Sequence, residues 1–189
     1  MLKITPNHKI IKNYYRELQS FERANQTQED TVKQAFQHIL EAYAKPRKWT
    51  LIQEQTIQAI RLDGTLFDES QIPRGYWEAK RDSVKLEPAI QEKLYDKGYP
   101  QDNIVFQKPS HAILIQNGDV ALDVSLAKPE NLIEVVDKFF NFKFKSIARK
   151  QNTTGSHKWH GEKTCWKIRR NYFKSGSQFL PGKQHEKQN

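Results

Sequence analysis

The spacing of apolar residues changes period at Pro46, and that change limits what the chain can fold into. Before it, Ile10, Ile11, Tyr14, Tyr15, Leu18 and Phe21 recur at helical spacing, as do Val32, Ala35, Phe36, Ile39, Leu40 and Tyr43. The pattern predicts two amphipathic helices. One spans residues 9–22. The other starts at a cap on Asp30 or Thr31 and ends at Pro46, which pushes the residue before it out of helical backbone.

Beyond Pro46 the period shortens towards two. Residues 49–54 and 57–62 read as strands rich in β-branched and aromatic side chains. Asp63-Gly64 reads as a turn or bulge, residues 65–68 as a short extended piece and residues 69–75 as a loop. Residues 76–81 form a strand in which Trp77 and Ala79 alternate with Glu78 and Lys80. Leu86, Ile90 and Leu94 mark a helix over residues 85–96, closed by Gly98 and Pro100. Strands follow at 103–107 and 112–117, then the Asn117-Gly118 hairpin signal and the alternating Val120, Leu122 and Val124. Pro129 opens a last helix. The order α-α-β-β-β-α-β-β-β-α predicts an α/β domain with a mixed β-sheet flanked by helices.

Charge divides the chain where periodicity ends. Residues 1–142 hold 19 Lys and Arg against 20 Asp and Glu, whereas residues 143–189 hold 12 against 2, so the formal net charge of +9 belongs to the end of the chain. The expected organisation is an N-terminal helix and linker packing on the core (1–28), the α/β domain (29–142) and an irregular, poorly ordered basic tail (143–189). A single cysteine, Cys165, excludes an internal disulfide and suits a reducing compartment. No apolar run approaches the length of a signal peptide or a membrane span, so the expectation is a cytoplasmic protein with no membrane partner.

The stretch IRLDGTLFDESQIPRGYWEAKRD, residues 60–82, carries the chemistry. Asp63 and Glu78 are fifteen residues apart, which two neighbouring strands would bring together. Glu78 and Lys80, two apart on one strand, project from the same face. Two carboxylates form a hard oxygen site suited to Mg²⁺, with Mn²⁺ as a substitute. A lysine beside them can orient or deprotonate a water, or balance charge building on a phosphate. The bland alternative is a solvent-facing strand edge with ordinary salt bridges.

Asp63 followed by Glu78-Ala79-Lys80, with helices before and after, resembles the PD-(D/E)XK nuclease superfamily, whose restriction-endonuclease-like core has the same element order. Leu62 stands where the family's name has proline. The runs DGTLFDESQIPRGYWEAK and KGYPQDNIVFQ are similar to the N-terminal nuclease domain of the type ISP enzymes, which are single-polypeptide, translocating restriction–modification enzymes. The likeness covers residues 10–142. It implies a metal-dependent endodeoxyribonuclease acting on double-stranded DNA, with Asp63, Glu78 and Lys80 as the catalytic set and Asp63 and Glu78 on the metal. It also implies helicase and methyltransferase domains or subunits outside this chain, and dimerisation for double-strand cleavage. Gln91 and Tyr95 resemble a supporting QxxxY pair of the superfamily's recombination-repair branch, and Glu41 sits on a helix where some members place an extra metal carboxylate. For both, an ordinary solvated helix face stays open. The alternative function is a catalytically silent DNA-binding or interaction module on the same fold.

The tail offers decoys. Residues 155–164, GSHKWHGEKT, mimic a phosphate loop, but the glycine spacing is wrong and no strand precedes it. His157, His160 and Cys165 lack a fourth zinc ligand at sensible spacing. No methyltransferase NPPY motif is present. Residues 143–189 therefore read as a foreign or frame-altered end of a larger enzyme's fragment, as a solvated extension, or as a DNA grip. In a grip, Lys158, Arg169 and Arg170 would meet phosphates while Trp159 and Trp166 stack on bases. If they grip DNA, deleting residues 143–189 removes most of the salt dependence of DNA binding, read from the slope of log affinity against log salt.

Overall fold

Helical spacing and strand alternation together build a sheet covered on both faces. The computed structural model describes residues 4–25, 29–57 and 60–144. These lie in one compact unit, Met1–Ile147. Helix α1 (Lys9–Arg23) is capped by His8, whose side chain accepts a hydrogen bond from the Ile10 amide at 3.3 Å. Helix α2 (Glu29–Ala44) runs to a 3₁₀ turn at Lys45–Arg47 that contains Pro46. Ile11 and Tyr14 of α1 are buried against α2, with the Tyr14 ring edge-on to Phe36 at 6.4 Å. Phe36 in turn meets Trp77 of the sheet at 5.8 Å.

The strands are β1 (Thr50–Gln53), β2 (Thr56–Ile57), β3 (Ile60–Arg61), β4 (Gly64–Phe67), β5 (Pro73–Ala79), β6 (Asn103–Lys108), β7 (His111–Gln116) and β8 (Asp119–Ser125). Six of them form one sheet in the order β1-β4-β5-β6-β7-β8. Only β5 and β6 pair in parallel in this sheet; the other neighbours are antiparallel. A parallel pair needs a crossover, supplied here by α3 (Leu86–Gln91) and the π-helical turn Glu92–Asp96 that continues it. Helix α4 (Pro129–Phe140) begins with proline in its first turn.

Alternation along β5 divides the core in two. Trp77 and Ala79 join Leu66, Val105 and Leu114 beneath α1, α2 and α4. Tyr76 joins Ile104, Phe106 and Ile113 on the other face, under Leu86, Ile90 and Leu94. The Asn117-Gly118 hairpin forms as expected, with φ of 52° and 81° at its two turn residues, the left-handed pair that a two-residue turn requires.

Several expectations are corrected. Residues 57–62 are not a strand of the main sheet: Thr56–Ile57 and Ile60–Arg61 form a separate two-stranded ribbon. The strand beside β5 is Gly64–Phe67, the piece read from sequence as merely extended. Gly64 is therefore not a turn residue. A Cβ there would lie 2.8 Å from the Trp77 ring, so the glycine makes room for a core side chain. The helix expected over residues 85–96 changes to π geometry after Gln91. The capping residue is also displaced, because α2 already begins at Glu29.

Gly75 shows how closely α4 sits on the sheet: an added Cβ would fall 2.6 Å from the Phe139 ring. Asn103, fully buried beside it, donates to the carbonyls of Arg74 at 2.8 Å and Phe139 at 2.9 Å, so neither side can shift freely. Gly75→Ala is expected to lower unfolding stability by about 1–3 kcal/mol through overpacking, measured by urea denaturation.

Candidate active site

The end of β5 and the start of β4 bring the predicted residues together. β4 and β5 are antiparallel with Gly64 opposite Trp77, so one further step sets Asp63 opposite Glu78. The two strand ends also bond directly, because the Ala79 amide donates to Asp63 Oδ2 at 2.8 Å. Beyond Ala79 the Lys80 amide donates to the Gln107 carbonyl of β6 at 2.8 Å, which prolongs the parallel pairing and holds Lys80 in line. Glu78 is only 3% exposed. A carboxylate so buried is costly unless paired and hydrogen-bonded.

Two ammonium groups meet that need. Lys80 Nζ lies 2.8 Å from Glu78 Oε1 and 2.7 Å from the Ala79 carbonyl oxygen. Lys93 Nζ lies 2.7 Å from the same Glu78 oxygen and donates to the Tyr99 hydroxyl at 2.8 Å. Burial by itself would lower the Lys93 pKa; the hydrogen bonds to Glu78 and Tyr99 override it and hold the ammonium above the ordinary lysine range. Tyr99 donates onward to the Arg61 carbonyl at 2.6 Å. On the Asp63 side, Lys33 of α2 donates to Oδ1 at 2.8 Å and stands 3.7 Å from Glu54, which pairs with Arg61 at 2.6 Å. Glu29, at the start of α2, lies 3.6 Å from Lys80. A chain of charged and polar contacts thus runs from Asp63 round to Glu78.

Lys33, Lys93, Glu29 and Glu54 were not among the residues singled out from sequence. Lys33 left a signal: it shares a helical stripe with buried Phe36 and Leu40, and a charge on such a stripe needs a buried partner. Lys93 left the same kind of signal, standing three and seven residues after buried Ile90 and Leu86.

The other candidates take no part in these contacts among the described residues. Glu41 is exposed towards the opposite end of α2 and accepts from Gln37 at 2.7 Å. It is two turns beyond Lys33 along the helix. Gln91 is exposed and Tyr95 is 44% exposed; the side chain of this segment that reaches Glu78 is Lys93. The π turn separates the expected i, i+4 pair from regular helical geometry. Lys158, Trp159, Trp166, Arg169 and Arg170 lie outside the described residues.

The donors are oxygens of the hard kind: the Asp63 and Glu78 carboxylates and the Ala79 carbonyl. Glu78 Oε1 and the Ala79 carbonyl already converge on one cation, the Lys80 ammonium. Among the described residues no group of three or more His, Cys, Asp or Glu gathers as a metal cage. That donor set suits an ion that keeps several of its own waters, as Mg²⁺ does, better than one needing a full protein shell.

A solved structure, the DrdV–DNA complex, is similar to this chain at 35% identity, with a TM-score of 0.67 over 71% of the chain. The described domain is a PD-(D/E)XK nuclease domain by fold. A second structure, the type IIG restriction endonuclease BpuSI, aligns over 55% of the chain and 14% of its own length at 9% identity, with a TM-score of 0.39. No family model and no curated protein matches the chain. The PD-(D/E)XK domain spans only 14% of DrdV's length. Among its described residues no helix is long and apolar enough to cross a membrane.

Within this domain Glu78 is the shared counter-charge of two largely buried lysines. Glu78→Ala is expected to destabilise it by about 3–5 kcal/mol, because the two ammonium groups are left facing each other. Adding Lys93→Met should restore part of the loss in urea unfolding; no restoration would show that the two do not act as a pair.

Proposed function

We propose that this domain hydrolyses DNA phosphodiester bonds with the help of Mg²⁺ or Mn²⁺, as the nuclease part of a restriction–modification enzyme. The observation that carries the reading is the joining of Asp63, Glu78 and Lys80 at one strand end, through the Ala79 amide on Asp63 and the Lys80 ammonium on Glu78. The likeness to part of DrdV, a type ISP restriction enzyme, supports assignment to that group.

Asp63 and Glu78 would hold the ion, with the Ala79 carbonyl as a third oxygen. When bound, the ion supplies a water of lowered pKa and neutralises charge on the phosphate oxygens. The chain's own residues do the remaining work. The Ala79 amide keeps one Asp63 oxygen fixed, which sets the carboxylate's direction. Lys80, held along β6, presents its ammonium where an attacking water or a developing negative charge would lie. Lys33 balances Asp63 from the helix side. One such site cuts one strand, so double-strand cleavage calls for a second copy. Choice of target and delivery to DNA fall to helicase, methyltransferase and recognition parts outside this PD-(D/E)XK domain. The reducing, cytoplasmic setting expected from composition suits such an enzyme.

The test is nicking of supercoiled plasmid by the protein with Mg²⁺ or Mn²⁺, beside Asp63→Ala and Lys80→Ala. Each variant should lose about 100-fold or more of the wild-type rate. Equal nicking by all three would expose a contaminant and remove support for the site. No nicking by any would point to a silent module or to dependence on parts outside this domain.

A further inference from the structure

Lys93 has no part in the reading above, yet it occupies a privileged place. The π turn Glu92–Asp96 carries its side chain onto the oxygen that Lys80 already holds. Such turns cost regular hydrogen bonding and recur at functional positions. One buried carboxylate needs one counter-charge; Glu78 has two, both on Oε1. Lys93 also has an anchor independent of Glu78. Its amine donates to the Tyr99 hydroxyl at 2.8 Å and sits 4.8 Å from the centre of the Tyr99 ring, and Tyr99 is itself tied to the Arg61 carbonyl. The lysine side chain is 18% exposed, so it is not sealed in the core.

We propose, resting on the nuclease reading, that Lys93 is a substrate-binding residue that exchanges Glu78 for a phosphodiester oxygen of DNA. Without a divalent ion, it neutralises Glu78. A divalent ion on Glu78 repels the ammonium sharing its oxygen. Lys93 then keeps its hold on Tyr99 and turns its charge to the phosphate beside the metal. The exchange couples the two binding events: the ion makes the DNA contact available, and by reciprocity DNA favours the ion. Without the ion, Lys93 stays on Glu78 and adds little to DNA binding.

The test uses the full chain and four variants: Lys93→Met, Lys93→Arg, Glu78→Gln, and Lys97→Met as a control. Lys97 is an exposed lysine nearby, paired with Glu92. Mn²⁺ binding without DNA is followed by the electron paramagnetic resonance signal of free Mn²⁺. Binding of a short fluorescent duplex is followed in EDTA and in Ca²⁺. Lys93→Met should bind Mn²⁺ about threefold to tenfold more tightly than wild type, and should lose about tenfold in DNA affinity in Ca²⁺ but not in EDTA. Lys93→Arg should recover most of the Ca²⁺-dependent DNA affinity, and Lys97→Met should match wild type in both assays. If Mn²⁺ binding depends on Glu78 but Lys93→Met matches wild type in either assay, the exchange is overturned and the nuclease reading stands. If wild type binds no Mn²⁺, or Glu78→Gln binds it equally well, both fall.

Discussion

A buried carboxylate is the constraint on which this arrangement turns. Glu78 lies inside the protein near the end of β5, the strand paired antiparallel with β4 on one side and in parallel with β6 on the other. Removing its charge from water is tolerable only with compensating charge nearby, and that requirement recruits Lys80 from the same strand and Lys93 from the crossover. Lys93 commits Tyr99, and Tyr99 commits the carbonyl of Arg61, two residues before Asp63. Asp63 in turn commits Lys33 of α2. One acid thus ties together the sheet, the crossover, the small ribbon and the second helix.

Packing supplies the rigidity those charges need. Both faces of β5 are covered, so its side chains separate cleanly: Trp77 and Ala79 into one apolar cluster, Tyr76 into the other. Glu78 and Lys80 follow Tyr76 by alternation and emerge where that second cluster ends. Gly64 and Gly75 let Trp77 and Phe139 fill the opposite face without displacing the strands. The positions of the charged groups are therefore set by large ring contacts behind them, not by the flexible lysines themselves.

Much of this was legible in the residues. The helices beginning at 9 and 129 and the Asn117-Gly118 hairpin appear where their patterns place them, because each depends on local spacing or on a turn conformation that few residues accept. The strand beside β5 was misjudged for a physical reason. Ile57 and Ile60 suggest a strand of the main sheet but pair in a short ribbon, while Gly64–Phe67 is fully buried and carries no alternation to read. At the site, the Asp63, Glu78 and Lys80 pattern could be seen in one stretch of sequence. The lysines that oppose them were harder to see: Lys33 is thirty residues from Asp63 and Lys93 fifteen from Glu78, and only the stripe each shares with buried residues hints at them.

What the sequence determined by itself was the class of fold and the chemistry on offer: an α/β order, two acids and a lysine on strands that can meet, and a nearly neutral domain joined to a basic end. Only the tertiary structure decided which of those strands are neighbours and which amines answer the acids. It left Glu41, Gln91 and Tyr95 exposed and brought Lys33, Lys93 and Tyr99 to the site. Composition and period report which face a residue prefers, which is a local matter. Pairing of charges across a sheet end depends on strand register and on one irregular helical turn, and neither is written in the spacing of apolar residues.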